Sequence, residues 1–193
     1  MKCLIVLAHP LHDSLCYYLA QETIAHMKNK GYDVSVKDLY KENFEPALRA
    51  QERASYYTEM VIDECLQKDI AQLLEVESLV LIFPTWWFGF PAILKGWFDR
   101  VWAPGFAYHH ASNFGPITPN LTNLKELKVV TTLGAPWWVD FFILQKPVKK
   151  VLKLALLGAC ARKATFRMLS LYNSEKLDDL KVQTFVEKIK TTF

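Results

Sequence analysis

Phe83-Pro84-Thr85-Trp86-Trp87-Phe88-Gly89-Phe90-Pro91-Ala92-Ile93-Leu94-Lys95-Gly96-Trp97-Phe98-Asp99-Arg100 carries an apolar run into a helical pattern through a turn crowded with aromatic rings. Residues 79–83 are apolar throughout, as in a strand covered on both faces. Pro91 falls in the first turn of the helix expected over residues 91–102, where its missing N–H is no loss. The unit is therefore strand, turn, helix, with Trp86, Trp87 and Phe88 at the strand's carboxyl end, where a planar ligand would bind.

The same alternation extends in both directions. Residues 2–8 form another apolar run, and residues 14–30 carry helical periodicity closed by Gly31. Residues 32–38 alternate, with Val34 and Val36 on one face, and a long helical pattern covers residues 61–76. Downstream, the pattern predicts a strand over 127–133, a helix over 140–157 ending at Gly158, a strand over 159–168 and a last helix capped by Ser174. Right-handed crossovers place helices on both faces of such a sheet, so the expected fold is α/β: a doubly wound, five-stranded parallel sheet of order 2-1-3-4-5. With no linker or repeat, residues 1–193 read as a single domain.

Composition excludes several classes. With 23 basic and 20 acidic residues and a formal charge of +3, the chain lacks the strongly basic balance of a dedicated nucleic-acid binder, so no nucleic-acid partner is expected. The four cysteines at 3, 16, 65 and 160 form no CxxC pair, which fits reduced thiols in a cytoplasmic protein. Residues 2–8 are too short for a signal-peptide core and run into His9-Pro10. The uncharged apolar stretch 78–94 is interrupted by Pro84, Gly89 and Pro91 and reads as no membrane span.

In the 2-1-3-4-5 order ligands sit beside the loops that follow strands one, three and four. The first, His9-Pro10-Leu11-His12-Asp13-Ser14, ends at a helix start, where free N–H groups suit a phosphate and Ser14 offers either a hydroxyl ligand or a plain helix cap. The earliest glycine is Gly31, so neither a GxGxxG fingerprint nor a P-loop is present. The second loop offers Trp86, Trp87 and Phe88 as walls. The third, Thr131-Thr132-Leu133-Gly134-Ala135-Pro136-Trp137-Trp138, has small residues that let backbone N–H groups approach a ligand.

Other constellations have plainer readings. Trp97, Phe98 and Trp102 lie on a helix and suit core or interface packing. His109 and His110 would point to opposite sides of an extended segment, and no metal site is expected. Cys16 is expected to pack rather than react. Lys146, Lys149, Lys150 and Lys153 recur on one side of a helix with Val148, Val151, Leu152 and Ala155 on the other, an ordinary solvated face.

The run from Trp87 to Arg100 strongly resembles the NAD(P)H:quinone oxidoreductases of the DT-diaphorase type. So do Leu4-Ile5-Val6-Leu7-Ala8-His9 with Ser14, Asp38-Leu39-Tyr40 with Asn43-Phe44 and Pro46, Gly105-Phe106-Ala107-Tyr108, and Thr131-Thr132. The resemblance implies a flavodoxin-like fold with a non-covalent flavin, FAD or FMN, in a homodimer whose active sites lie at the subunit interface. It implies two-electron, ping-pong transfer from NAD(P)H through the flavin to quinone-like small molecules. By position, His9, Ser14, Leu15 and Cys16 would contact the flavin's phosphate part. Pro84, Thr85, Trp86, Trp87 and Phe88 would contact its ring, and Thr131, Thr132, Leu133, Gly134 and Ala135 its other edge. Tyr108 and His110 match positions that lie near the substrate from the partner subunit. Where well-studied members carry a Tyr and a His after the third turn, this chain reads Ala135-Pro136-Trp137-Trp138-Val139-Asp140. N–H groups near Gly134 are expected to take over the stabilising role, with Trp137 or Trp138 screening water. The rival readings are a flavodoxin-type electron carrier and a regulatory flavoprotein subunit of a potassium efflux system.

Overall fold

The computed structural model describes residues 1–58, 60–111 and 115–193. Strands β1 (Lys2–Leu7), β2 (Asp33–Asp38), β3 (Ser78–Pro84), β6 (Glu126–Thr132) and β7 (Thr165–Leu171) form one parallel sheet in the order β2-β1-β3-β6-β7, the predicted 2-1-3-4-5 arrangement. A second, two-stranded antiparallel pair, β4 (Tyr108–His109) and β5 (Thr118–Pro119), was not anticipated. It lies in the connection between β3 and β6.

Strict alternation along the central strands divides the core. Leu4, Val6, Leu79, Leu81, Phe83, Leu127 and Val129 face α3 (Glu64–Glu75) and α4 (Ala92–Val101). Cys3, Ile5, Leu7, Val80, Ile82 and Val130 face α1 (Leu15–Asn29) and the C-terminal helix α7 (Asp179–Thr192). Period-two alternation with apolar residues on both sides is the signature of a sheet covered twice. Trp97, Phe98 and Trp102 are buried in the first layer, as expected for helical aromatics. β2 is the edge strand, and Val36 is exposed.

Two contacts fix the long connection after β2. Gly96 on α4 meets Pro46 so closely that a Cβ there would overlap the proline's carbonyl oxygen and side chain. Arg100, one turn further along, donates from Nε to Glu52 Oε2 (3.0 Å), from Nη2 to Glu52 Oε1 (2.5 Å) and from Nη1 to the Glu45 carbonyl (2.6 Å). Glu52 belongs to the short helix α2 (Ala50–Ala54), and both ion-pair partners are buried. Burial pushes the Glu52 carboxyl up, but the Arg100 hydrogen bonds and the Arg49 N–H hold it below the usual carboxylate range.

Four expected boundaries shift, the last helix among them: its cap is Asp178, whose carboxylate accepts from Lys181 N–H at 2.8 Å, and not Ser174. The helix predicted over 61–76 starts at Glu64, capped by Asp63, whose carboxylate accepts from Leu66 N–H at 2.8 Å. The fifth strand, expected over 159–168, is Thr165–Leu171: Gly158 is helical (φ −60°) and does not end the helix, which runs on through Cys160. The helix expected over 140–157 is broken. A π-helical turn, Val139–Ile143, is followed by Gln145 and Lys146 at positive φ, then by α5 (Pro147–Lys150), a second π-helical stretch (Val151–Leu157) and the closing turn α6 (Gly158–Cys160).

That π stretch changes which side chains face inward. The wider i→i+5 turn puts Val148, Leu152 and Leu157 on the buried side, and Val151 and Ala155, assigned inward by α-helical spacing, stand exposed.

Gly96→Ala should lower stability by about 1–3 kcal/mol through overpacking, although helix propensity alone favours alanine; denaturant unfolding reads the sign directly. Glu52→Gln should cost about 3 kcal/mol at neutral pH by leaving the buried Arg100 with the more distant Asp63 carboxylate, 3.6 Å away, as its ionic partner. Because the folded pKa of Glu52 lies below its unfolded value, the pair stabilises above that unfolded value and fades as pH falls through the folded one. The gap between parent and variant should therefore narrow in acid.

Candidate functional site

Parallel pairing brings the predicted loops together. Phe83 pairs with Thr131 and Pro84 with Thr132, and the register continues as Thr85 N–H donates to the Thr132 carbonyl at 2.8 Å. The Thr85 and Thr131 hydroxyls share a 2.7 Å hydrogen bond. Thr85, Trp87, Phe88, Leu133, Gly134 and Ala135 then enclose a cleft of 200 Å³ at the carboxyl end of the sheet.

One wall of the cleft is strained. Gly89 N–H closes on the Trp86 carbonyl at 2.9 Å, with Trp87 (φ 50°) and Phe88 (φ 54°) as the two central residues. Two positive φ values define the turn that Asn-Gly favours, and bulky aromatic residues there cost roughly 1–3 kcal/mol each. The strain leaves Trp87 fully exposed at the tip and Trp86 half-exposed, 6.2 Å from the His9 ring.

The opposite wall offers donors. Leu133 N–H bonds the Leu171 carbonyl and the Leu133 carbonyl accepts from Ser174 N–H, which pins the turn to the segment after β7. Among the described residues, no acceptor claims the N–H groups of Gly134 or Ala135.

The first loop is held by its own side chains. His9 Nδ1 accepts from Leu11 N–H at 3.1 Å. The Ser14 hydroxyl donates to the Leu11 carbonyl (2.7 Å) and accepts from Tyr17 N–H (3.2 Å), so it is a helix cap whose only proton is committed. The donors left for an anion are the N–H groups of Leu15 and Cys16, which lack intrahelical partners and sit at the positive end of α1. The Cys16 thiol is buried, and burial pushes its pKa up to about 12, so it packs and does not react.

Tyr108 and His110 stand elsewhere. The Tyr108 hydroxyl lies 2.9 Å from that of Tyr56, and the His110 ring sits 5.0 Å from Tyr57 and 5.2 Å from Tyr108. Trp137 and Trp138 flank the third loop, both about half exposed.

Sequence reading missed a group behind the cleft. The Tyr172 hydroxyl donates to buried Asp140 at 2.8 Å, and burial together with that carboxylate pushes its pKa up to about 12. Both line a second cavity of 40 Å³ with Lys146 and Lys149, and Thr85 and Leu133 belong to both cavities. The one available signal was position: Tyr172 immediately follows the fifth strand.

Residues 1–155 match the family described as Flavodoxin-like fold. The chain belongs to that family. NAD(P)H dehydrogenase [quinone] 1 of Cavia porcellus is 35% identical over 152 residues, 69% of this flavodoxin-like chain and 54% of the relative. An uncharacterized NAD(P)H oxidoreductase of Haemophilus influenzae is 38% identical over 136 residues, 70% of this chain and 65% of that one. The solved structure of Smu.1420 from Streptococcus mutans UA159 superimposes with a TM-score of 0.85 at 30% identity, covering 99% of this chain and 97% of that one. The chain thus spans about half the length of the guinea-pig quinone dehydrogenase, and the expected resemblance to NAD(P)H:quinone oxidoreductases is borne out. Among the described residues, no group of three or more His, Cys, Asp or Glu side chains is placed to hold a metal ion, and no helix is long and apolar enough to cross a membrane.

Trp87→Asn combined with Phe88→Gly should stabilise the free protein by about 1–2 kcal/mol by relieving the turn, with a corresponding rise in thermal midpoint. An unchanged midpoint would show that the turn carries no strain.

Proposed function

We propose that this chain is a flavin-dependent NAD(P)H:quinone oxidoreductase, a single-domain cytoplasmic homodimer that works by ping-pong transfer. What carries this reading is the cleft between residues 85–88 and 133–135: aromatic on one side, lined with unclaimed N–H groups on the other, and in a chain 35% identical over 152 residues to an NAD(P)H dehydrogenase [quinone].

The residues present fit a flavin. Trp86, Trp87, Phe88 and Pro84 would hold the flat face of the ring, and Thr85, Thr131 and Thr132 would fix its depth. Gly134 and Ala135 would donate to its polar edge with Leu133 beneath, and Leu15 and Cys16 N–H groups would take its phosphate, with His9 and the Ser14 cap shaping that end. The absence of a dinucleotide fingerprint is no obstacle, because a capped helix start supplies the same kind of donor.

When bound, the flavin supplies the two-electron chemistry between NAD(P)H and a quinone-like acceptor. The chain's own contributions are positional. Backbone N–H groups at Gly134 and Ala135 favour negative charge at the ring edge without reorganising. Trp137 and Trp138, poised at the rim, would exclude water from a stacked acceptor. A cleft of 200 Å³ is smaller than the roughly 300–1,000 Å³ typical of ligand pockets, which supports completion of the site by Tyr108 and His110 of a partner subunit.

The test is optical. Purified protein, reconstituted with FAD or FMN where necessary, should be yellow and should bleach anaerobically on adding NADH or NADPH, then recover with a quinone. A protein that takes up neither flavin would overturn the reading. Trp86→Ala should weaken flavin affinity about tenfold by removing one stacking surface, measured by fluorescence titration.

A further inference from the structure

The polar wall of the cleft is held from behind by a segment that does not line it. Residues 171–175, which lead out of β7, run against the turn at 133–135. Leu133 N–H donates to the Leu171 carbonyl at 2.8 Å, Ser174 N–H to the Leu133 carbonyl at 2.9 Å and Asn173 N–H to the Ala135 carbonyl at 3.2 Å. Asn173 sits at φ 54°, a left-handed conformation that asparagine accepts readily, and consecutive N–H groups thereby reach one turn. The approach is close: a Cβ on Gly134 would come within 3.1 Å of Glu175 Oε1.

These bonds decide where the Gly134 N–H points. A trans peptide unit is planar, so its N–H and C=O point to opposite sides. With the Leu133 carbonyl turned back onto Ser174, the Gly134 N–H of the same unit is turned away from residues 173–175, which leaves it free for the cleft that Gly134 lines. One side-chain bond ties the far end of the turn to the same segment. Tyr172, immediately before Asn173, donates its hydroxyl to Asp140 Oδ2 at 2.8 Å. Asp140 is only 7% exposed, and among the described residues no cation pairs with it. A carboxylate buried in this way holds its donor firmly, because losing the bond leaves its desolvation uncompensated. Burial and that carboxylate push the Tyr172 hydroxyl up to about 12, so it remains a donor at neutral pH.

We propose that Tyr172, through its bond to Asp140, is the positioning residue of the polar wall: it clamps the turn so that the Gly134 N–H stays aimed at the edge of a bound flavin. The inference rests on the flavin reading above. Donors fixed in advance favour the negative charge that develops at the ring edge on reduction, and a donor free to wander favours it less. Tyr172 lines the cavity behind the cleft and not the cleft itself, so it acts through residues 133–135.

Two measurements test the proposal, the first without cofactor. In the free chain, Tyr172→Phe should speed amide hydrogen exchange at Asn173 and Ser174 at least about tenfold while amides of β1 and β3 keep their rates. Asp140→Asn, which keeps an acceptor for the tyrosine, should exchange like the parent. In the flavin-loaded chain, Tyr172→Phe should shift the redox equilibrium about tenfold toward the oxidised form, about 30 mV for a two-electron couple, read against a dye of known potential. A merely structural residue would weaken binding of both oxidation states alike and leave the potential where it was. If Tyr172→Phe fails to fold with Asp140 stranded, Tyr172→Phe combined with Asp140→Leu removes both partners and carries the exchange test. Unaltered exchange at Asn173 and Ser174, or an unaltered potential, would overturn the proposal. A parent chain that takes up no flavin would overturn the proposed function instead, and the exchange rates would still decide whether Tyr172 holds the turn.

Discussion

The pairing of β3 with β6 is the contact on which the rest depends. Its register sets Pro84 beside Thr132, and the hydrogen bonds from Thr85 carry the two chains past the end of the sheet still in step. A slip of one residue would turn every apolar side chain of β6 to the wrong layer, so burial on both faces enforces the register that aligns the two loops. Core packing and site geometry are the same constraint met at two heights of one ladder.

The second constraint concerns the connection after β2, which is long and mostly irregular. It is held by the Gly96–Pro46 approach and by Arg100 reaching into Glu52 and the Glu45 carbonyl. Buried ion pairs add little net stability compared with apolar packing, but they are specific about geometry, because a misplaced partner leaves a bare charge. Tyr56 and Tyr57 follow directly in the chain, so the position of the aromatic group around Tyr108 and His110 traces back to this pair.

Much of this was legible in the sequence, for physical reasons that differ by element. Continuous apolar runs at β1 and β3 have only one comfortable environment, and the alternation with helices leaves few topologies. At Ser14 the sequence leaves a hydroxyl ligand and a plain cap both open, and the structure shows the cap, whose geometry depends only on its own helix. The boundary between α6 and β7 was illegible because Ala159 and Cys160 suit a helix end and a strand start alike, and Gly158 suggested a stop that the backbone does not make. The two π stretches were invisible for a related reason: periodicity analysis assumes the period it looks for. The Asp140–Tyr172 pair escaped because its members are 32 residues apart and meet only through the fold.

The placement of β1 has a consequence for how the molecule is made. The first strand of the sheet in chain order lies inside it, paired with β2 on one side and with β3, some 75 residues later, on the other. Its pairing with β2 is local and cheap in loop entropy, whereas its inner partner β3 and the β3–β6 ladder come later. Until then the nascent βαβ unit presents an unpaired apolar strand edge to solvent. Folding should therefore be paced by synthesis of residues 78–132, the interval in which aggregation is the main hazard.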